Sequence, residues 1–293
     1  MAPAATEVDR WEGADVGVGE IERRLAALRE AAEEGGMIRT SVLTHLAWVP
    51  PEWEQQALDT LAGMAERHPS RTIVLLPQPG ADDDGIDATL ALRTFPLAES
   101  GRSICTEVIE LRLRRALCVA PASIVAPLLI ADLPVFLRWR GLPPFGERAF
   151  EELVDLVNRL IVDSTEWPGL PRPYGQMAAI FHRTAASDIA WARTSRWRRQ
   201  LASLWPEVAG VRKIRVQGTE AQAHLLAGWL RSRLDKPVGL EHEPSDRLIG
   251  VEIDGEPAPF PPGDPPQPSD VLSEELDRFT RDPVYEAAVV AAV

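Results

Sequence analysis

Arg193, Arg196, Arg198 and Arg199 are interleaved with Trp191, Trp197 and Trp205 in the stretch SDIAWARTSRWRRQLASLW, residues 187–205. Guanidinium and indole groups in that mixture offer recognition chemistry, since Arg and Trp are among the side chains most enriched where one protein grips another. Written at helical period, Ala190, Thr194, Trp197, Leu201 and Leu204 share one mostly apolar stripe. Arg196, Arg199 and Ser203 fall on the far side. Arg193 and Gln200 flank the stripe on one edge, and Trp191, Arg198 and Trp205 on the other. Ser187 or Asp188 can cap the start, because a short side-chain oxygen accepts an otherwise unpaired N–H of the first turn. Two readings stay open. The segment is an amphipathic helix that buries its Trp side and solvates its Arg side, or it is a docking surface with Trp191, Arg193, Arg196, Trp197 and Arg198 as its contacts.

Bond-making chemistry finds much less support. Gly17-Val18-Gly19 lacks both a preceding strand and the third glycine of a dinucleotide fingerprint. There is no GxxxxGK phosphate loop and no GxSxG elbow. The five histidines, His45, His68, His182, His224 and His242, show no HxxxH spacing. His68 falls at an expected helix C-terminus, where a partly charged imidazole suits the dipole. The run Asp82-Asp83-Asp84 reads as a solvated turn, because three consecutive carboxylates lack the spaced further ligands of a cation site. Cys105 and Cys118 read as small core hydrophobes. No catalytic residue, no metal ligand set and no cofactor is expected.

The elements that would position these groups alternate along the chain. A helix over residues 18–34 ends at Gly35-Gly36, where glycine takes the backbone conformation that stops helices. A strand is expected over 37–49, a helix over 52–67 and a short apolar strand over 72–76, the pattern of a parallel crossover. Residues 89–97 and 103–113 alternate apolar and polar side chains about Ser100-Gly101 and read as an antiparallel hairpin or as two adjacent strands. A buried helix over 122–130, a strand over 134–139, a helix over 147–158 and a strand over 160–162 follow. The proline-dense WPGLPRP, residues 167–173, is the expected domain boundary. Beyond it come helices over 176–184 and 188–204, a strand over 211–217, a helix over 220–234 and strands within 238–253. A proline-rich connector over 256–268 and helices over 269–279 and 284–292 close the chain. The expected fold is α/β: an N-terminal Rossmann-like layered domain with a mixed sheet, residues 1–170, and a smaller C-terminal α/β or α+β domain, residues 171–293.

Ligands of open α/β sheets lie beyond the carboxyl ends of the parallel strands. Those ends would bring Trp48, Gln78, Trp139, Arg140 and Asp163 around one crevice. It reads either as a metabolite site for a sugar phosphate or nucleotide, or as an interdomain joint in which Arg140 pairs with Asp163.

Bulk composition narrows the setting. The chain has 293 residues, 45% of them hydrophobic, and a formal net charge of −13. That balance disfavours general binding to phosphate backbones or anionic lipid, so neither nucleic acid nor membrane is expected as a partner. The apolar stretch 116–131 is interrupted by Pro121 and Pro127 and is too short to span a bilayer. With two cysteines and no targeting pattern at the start, a cytoplasmic setting is expected.

Four segments in order, HPSRTIVLLPQPG (68–80), DLPVFLRWRG (132–141), DIAWARTSRWR (188–198) and ELDRFTRDPVYEAAV (275–289), resemble the bacterial glucose-6-phosphate dehydrogenase assembly protein family, and the opening EIERRLAALRE fits as well. The resemblance implies a non-catalytic protein that binds glucose-6-phosphate dehydrogenase, of the oxidative pentose phosphate pathway, and promotes its assembly or activity. It also implies an N-terminal α/β domain with a separate C-terminal domain. Family members often carry two tryptophans where this chain has Arg138-Trp139. Some relatives respond to thiol redox state, and Cys105 and Cys118 match no regulatory pair. The resemblance leaves a small-molecule effector open.

Overall fold

A computed structural model describes residues 6–64, 69–96, 103–263 and 268–293. Its contacts divide the chain into two compact units, Met1–Leu160 and Ile161–Val293. Both are α/β, in line with the fold class read from the sequence.

The first unit opens with β1 (Thr6–Gly13) and α1 (Val18–Glu34). Then come β2 (Ile38–Arg39), β3 (Leu43–Trp48), α2 (Glu54–Met64), β4 (Ser70–Gln78), β5 (Gly85–Pro96) and β6 (Ser103–Arg114). The unit continues with α3 (Pro121–Val125), β7 (Val135–Trp139), α4 (Arg148–Leu156) and β8 (Arg159–Val162), which carries the chain across the division. The strand order is β1-β5-β6-β4-β3-β7. β6, β4, β3 and β7 run parallel; β5 joins β6 antiparallel, and β1 joins β5 antiparallel. The expected crossover, β3–α2–β4, is present, and of the two readings for β5 and β6 the antiparallel pair is the one found.

Side-chain alternation along the strands assigns the two faces of this sheet. Ala47, Val49, Val74 and Leu76 pack on one face with Ala57 of α2, together with Trp53 and Leu61. Arg71, Ile73 and Leu75, in register with Glu107, Ile109 and Leu111, point to the other face. There Glu107, with no exposed side-chain surface, accepts from Arg71 at 2.6 Å and from Arg29 of α1 at 2.5 Å. Burial pushes the Glu107 carboxyl up, but the two guanidinium groups outweigh it and hold it below its usual range. Arg71 also donates to Leu128 O at 2.6 Å, in the turn that follows α3.

Three local differences from the sequence reading have physical causes. The single strand expected over 37–49 is two, because β2 pairs with β6 at Ile104–Cys105 and β3 pairs with β4 and β7. Since β5 already occupies the other side of β6 there, β2 lies in the lane that β4 takes from Arg71 onward, and the chain must leave it. β1 was not expected, since TEVDRWEG is polar and short of a clear alternation; backbone pairing with β5 makes it a strand. The buried helix expected over 122–130 is shorter, with α3 passing into a 3₁₀ turn over Ala126–Leu128. The expected C-terminus of α2, with His68, and the Ser100-Gly101 turn lie outside the described residues.

The second unit contains α5 (Arg172–Ala178), β9 (Ala185–Asp188), α6 (Ile189–Arg193) and α7 (Ser195–Ala202). β10 (Lys213–Gly218), α8 (Glu220–Leu234), β11 (Gly239–Pro244), β12 (Gly250–Ile253) and β13 (Glu256–Pro257) follow, then α9 (Pro268–Leu276) and α10 (Pro283–Ala292). Its small sheet has the order β11-β10-β12-β13, with β10 and β11 parallel and the other pairs antiparallel. α8 is the centre of this unit. Thr219 and Gln222 close a capping box at its start, and Ala223, Leu225, Leu226, Ala227 and Leu230 are buried. α5 starts earlier than expected because Pro173 sits in the first turn, where a missing N–H costs nothing.

Gly228 lets α10 lie directly on α8. A Cβ there would come 2.1 Å from Ala288 O and 2.9 Å from Ala292 N, both backbone atoms. Gly228→Ala should therefore destabilise the protein by about 2 kcal/mol or more, read from urea midpoints. Gly175 of α5 would place its Cβ in open space. Gly175→Ala should be neutral or stabilise by up to about 1 kcal/mol, so equal effects at the two sites would refute the packing argument.

Candidate functional site

The Trp/Arg stretch is a strand end followed by two short helices. β9 ends at Asp188, whose Oδ1 accepts the Ala190 N–H at 2.8 Å and caps α6. The helix breaks at Thr194, which separates α6 from α7 and whose hydroxyl donates to Trp191 O at 2.7 Å. The apolar stripe holds through the break: Ala190, Thr194, Trp197 and Leu201 are all buried.

Asp188 is fully buried and links three segments. Besides Ala190, it accepts the Ser164 N–H at 3.0 Å on Oδ1 and the Ser164 hydroxyl at 2.6 Å on Oδ2. Ser164 Oγ lies 2.9 Å from the Tyr174 hydroxyl of α5, which donates to Ala221 O at 3.4 Å. Burial, and then the nearby Asp163 charge, push the Asp188 carboxyl up to about 7 against those hydrogen bonds.

Each of the five residues expected as contacts has an internal partner. Trp191 is buried; its Nε1–H donates to Asp282 Oδ2 at 2.9 Å, and its ring tilts against Tyr285 at 5.8 Å. Asp282 also caps α10, accepting from the Val284 and Tyr285 N–H groups. Arg198 lies over the Trp191 ring with its guanidinium carbon 3.4 Å from the centroid, and its Nε–H donates to Thr194 Oγ1 at 3.0 Å. Burial holds Arg198 down at about 10, only partly offset by Asp282. Arg193 pairs with Asp163 at 3.0 Å. Arg196 donates to Pro261 O at 2.8 Å, to Pro262 O at 2.9 Å and to Gly263 O, which holds the proline-rich segment. Trp197 is buried edge-on against Phe260, 5.6 Å between centroids. Arg199 and Trp205 are left facing outward, Trp205 with 65% of its surface exposed.

The residues expected around the strand ends are placed as follows. Within the first unit, Trp48 and Trp139 come together: they are in register on β3 and β7, stacked at 4.8 Å and 8°, and both buried. Arg140 is buried over Trp53 at 4.6 Å and donates to Gln56 Oε1 at 2.5 Å. Gln78 ends β4 opposite Arg114 of β6. Asp163 belongs to the second unit, where it pairs with Arg193 and accepts from the Thr165 hydroxyl at 2.6 Å.

The acidic loop is held rather than merely solvated: Arg114 pairs with Asp83 at 3.2 Å and Asp87 at 2.6 Å, and the Ala116 N–H donates to Asp84 at 2.9 Å. Among the described residues no cluster of three or more His, Cys, Asp or Glu could hold a metal ion. None of the described helices is long and apolar enough to cross a membrane. Cys105 and Cys118 are buried thiols. Sequence reasoning missed Asp282 and Tyr285 as anchors of Trp191; a capping Asp before Pro283 was the signal available for the first.

Comparison with known proteins decides the family. Residues 62–180 match the model described as "Glucose-6-phosphate dehydrogenase subunit N-terminal domain", and residues 184–260 match its C-terminal counterpart. The chain belongs to this OpcA family of glucose-6-phosphate dehydrogenase subunits. An OpcA protein of Nostoc punctiforme, named for the OxPP cycle, is 31% identical over 198 residues, which is 62% of this chain and 42% of that protein. Its namesake in a Synechocystis species is 26% identical over 231 residues, 74% of this chain and 48% of the relative. The chain thus spans about half the length of the curated OpcA relatives it matches.

The raised Asp188 carboxyl predicts a pH dependence. A folded pKa of about 7 against an ordinary 3.8 means that the folded state holds a proton the unfolded chain has lost. The stability this contributes is full below about pH 4 and is lost as pH rises through about 7. Asp188→Asn copies the protonated form: its oxygen keeps both N–H donors and its amide can donate to Ser164 Oγ. Relative to wild type, that variant should gain stability between about pH 5 and pH 8, by about 1 kcal/mol or more in urea midpoints. A constant difference across that range would show that Asp188 stays ionised when folded.

Proposed function

We propose that this OpcA-family chain is a non-catalytic accessory subunit that binds glucose-6-phosphate dehydrogenase in the cytoplasm and favours its assembled or active state. The observation that carries this reading is the succession of both subunit family models along one chain, in N-to-C order. The geometry supports it in a second way. Internal contacts of the guanidinium and indole groups of α6 and α7 hold the segment in place, so that Arg199 and Trp205 are presented outward from a fixed base. A binder of this kind activates its partner only by the difference between its affinities for the partner's two states.

On this reading the α6–α7 segment remains the contact region, with Arg193, Arg196, Arg198, Trp191 and Trp197 shaping it. Arg199 and the exposed Trp205 reach the partner. The direct test mixes the purified chain with the dehydrogenase from the same host and follows co-elution and initial rate. Co-elution with a raised rate is expected; separate elution at about 10 µM of each, with an unchanged rate, would sink the reading. The pair Arg199→Glu and Trp205→Ala should weaken the complex by about 2 kcal/mol or more while leaving the melting temperature in place. Wild-type affinity in that double variant would move the contact region elsewhere.

A further inference from the structure

A cleft of about 660 Å³ opens within the second unit, with Arg193, Arg196 and Trp197 of the α6–α7 segment forming one wall of it. That volume is in the range of small-molecule sites. Three guanidinium groups line it, those of Arg193, Arg196 and Arg247. The carboxylates near them cancel this charge only in part, two against three. Asp163 is committed to Arg193, and Asp246 is the acidic residue of the lining. Arg196 is held by three neutral carbonyls, which leave its charge uncompensated. Arg247 is exposed and forms no ion pair among the described residues. A local excess of positive charge is unexpected on a chain of net charge −13. The head of α8 adds to it: Thr219 and Gln222 line the cleft, and the positive end of a 15-residue helix points there. Their side chains already serve the capping box, so the helix contributes field rather than hydrogen bonds. The remaining wall is apolar and partly aromatic, with Trp197, Leu248, Ile249 and a Phe260 ring that is 65% exposed.

We propose that this cleft binds a small phosphate monoester carried on a ring-shaped body, such as a nucleoside monophosphate or a sugar phosphate. The phosphate sits among Arg193, Arg196 and Arg247, whose planar donors match its oxygens. The ring lies against Phe260, as flat ligand surfaces do on exposed aromatic faces. Binding here is a property of the chain alone, so its outcome is separate from that of the dehydrogenase test.

Calorimetric titration of the full chain with AMP, glucose 6-phosphate, adenosine and glucose tests it. At least one of the two phosphate esters should bind below about 1 mM, with its unphosphorylated counterpart at least about tenfold weaker. Arg247→Glu should weaken that binding by about tenfold or more without changing the melting temperature, because the side chain is exposed. Phe260→Ala should weaken it as well if the ring is the seat of the ligand's body. The proposal is overturned if neither ester binds at about 5 mM, if adenosine or glucose binds as well as its ester, or if Arg247→Glu leaves the isotherm unchanged.

Discussion

The second unit depends on one buried carboxylate. Asp188 has no exposed surface, yet it accepts two backbone N–H groups and a hydroxyl. A polar group in that position is tolerated only when its hydrogen bonds are complete, and completing them fixes what lies around it. The Ser164 turn, the Tyr174 hydroxyl of α5 and the first turn of α6 are brought to a single point. The direction of α6 follows, and with it the position of Trp191, which meets Asp282 at the start of α10. α10 in turn can lie on α8 only because Gly228 has no side chain.

Glu107 does the corresponding work in the first unit by a different balance. Both carboxylates are fully buried, and burial favours the neutral form of each. Glu107 meets two guanidinium groups and is held ionised; Asp188 meets dipoles and the like charge of Asp163, and is driven toward protonation. One therefore ties α1 and the turn after α3 to the sheet by charge. The other ties a helix start to a turn by hydrogen bonds. Removing either partner of such an arrangement costs more than the pair contributes, because the group left behind stays buried without compensation.

The arginines show how recognition chemistry and folding chemistry compete for the same side chains. Arg198 stacks on Trp191, Arg193 neutralises Asp163, and Arg196 gathers the carbonyls of Pro261, Pro262 and Gly263. These contacts make the segment rigid, and a rigid scaffold presents its remaining surface at low entropic cost. What the family membership contributes is a reason for such a surface to exist. What the cleft beside α8 contributes is a second place where this chain can read its surroundings.

The sequence by itself determined the α/β class, the β3–α2–β4 crossover, the existence of β5 and β6 as neighbouring strands, and the family. Each of these is written in local pattern: apolar periodicity, glycine and proline punctuation, and an ordered set of segments. α1 and α8 were legible to the residue because Gly35-Gly36 and Thr219 mark their ends chemically. The split of residues 37–49 into β2 and β3 was not, since it arises from which strand lies alongside. β1 was hidden for the same reason, being a strand by virtue of β5. The helical stripe through Ala190, Thr194, Trp197 and Leu201 could be read from spacing, but the fate of the flanking Trp191 and Arg198 could not. The partners of Trp191, Asp282 and Tyr285, are more than ninety residues away in the chain, and only the tertiary structure decides which distant group a side chain meets. Periodicity describes one element at a time. Burial, pairing and charge balance are properties of several elements at once, and they decided which arginines turned inward.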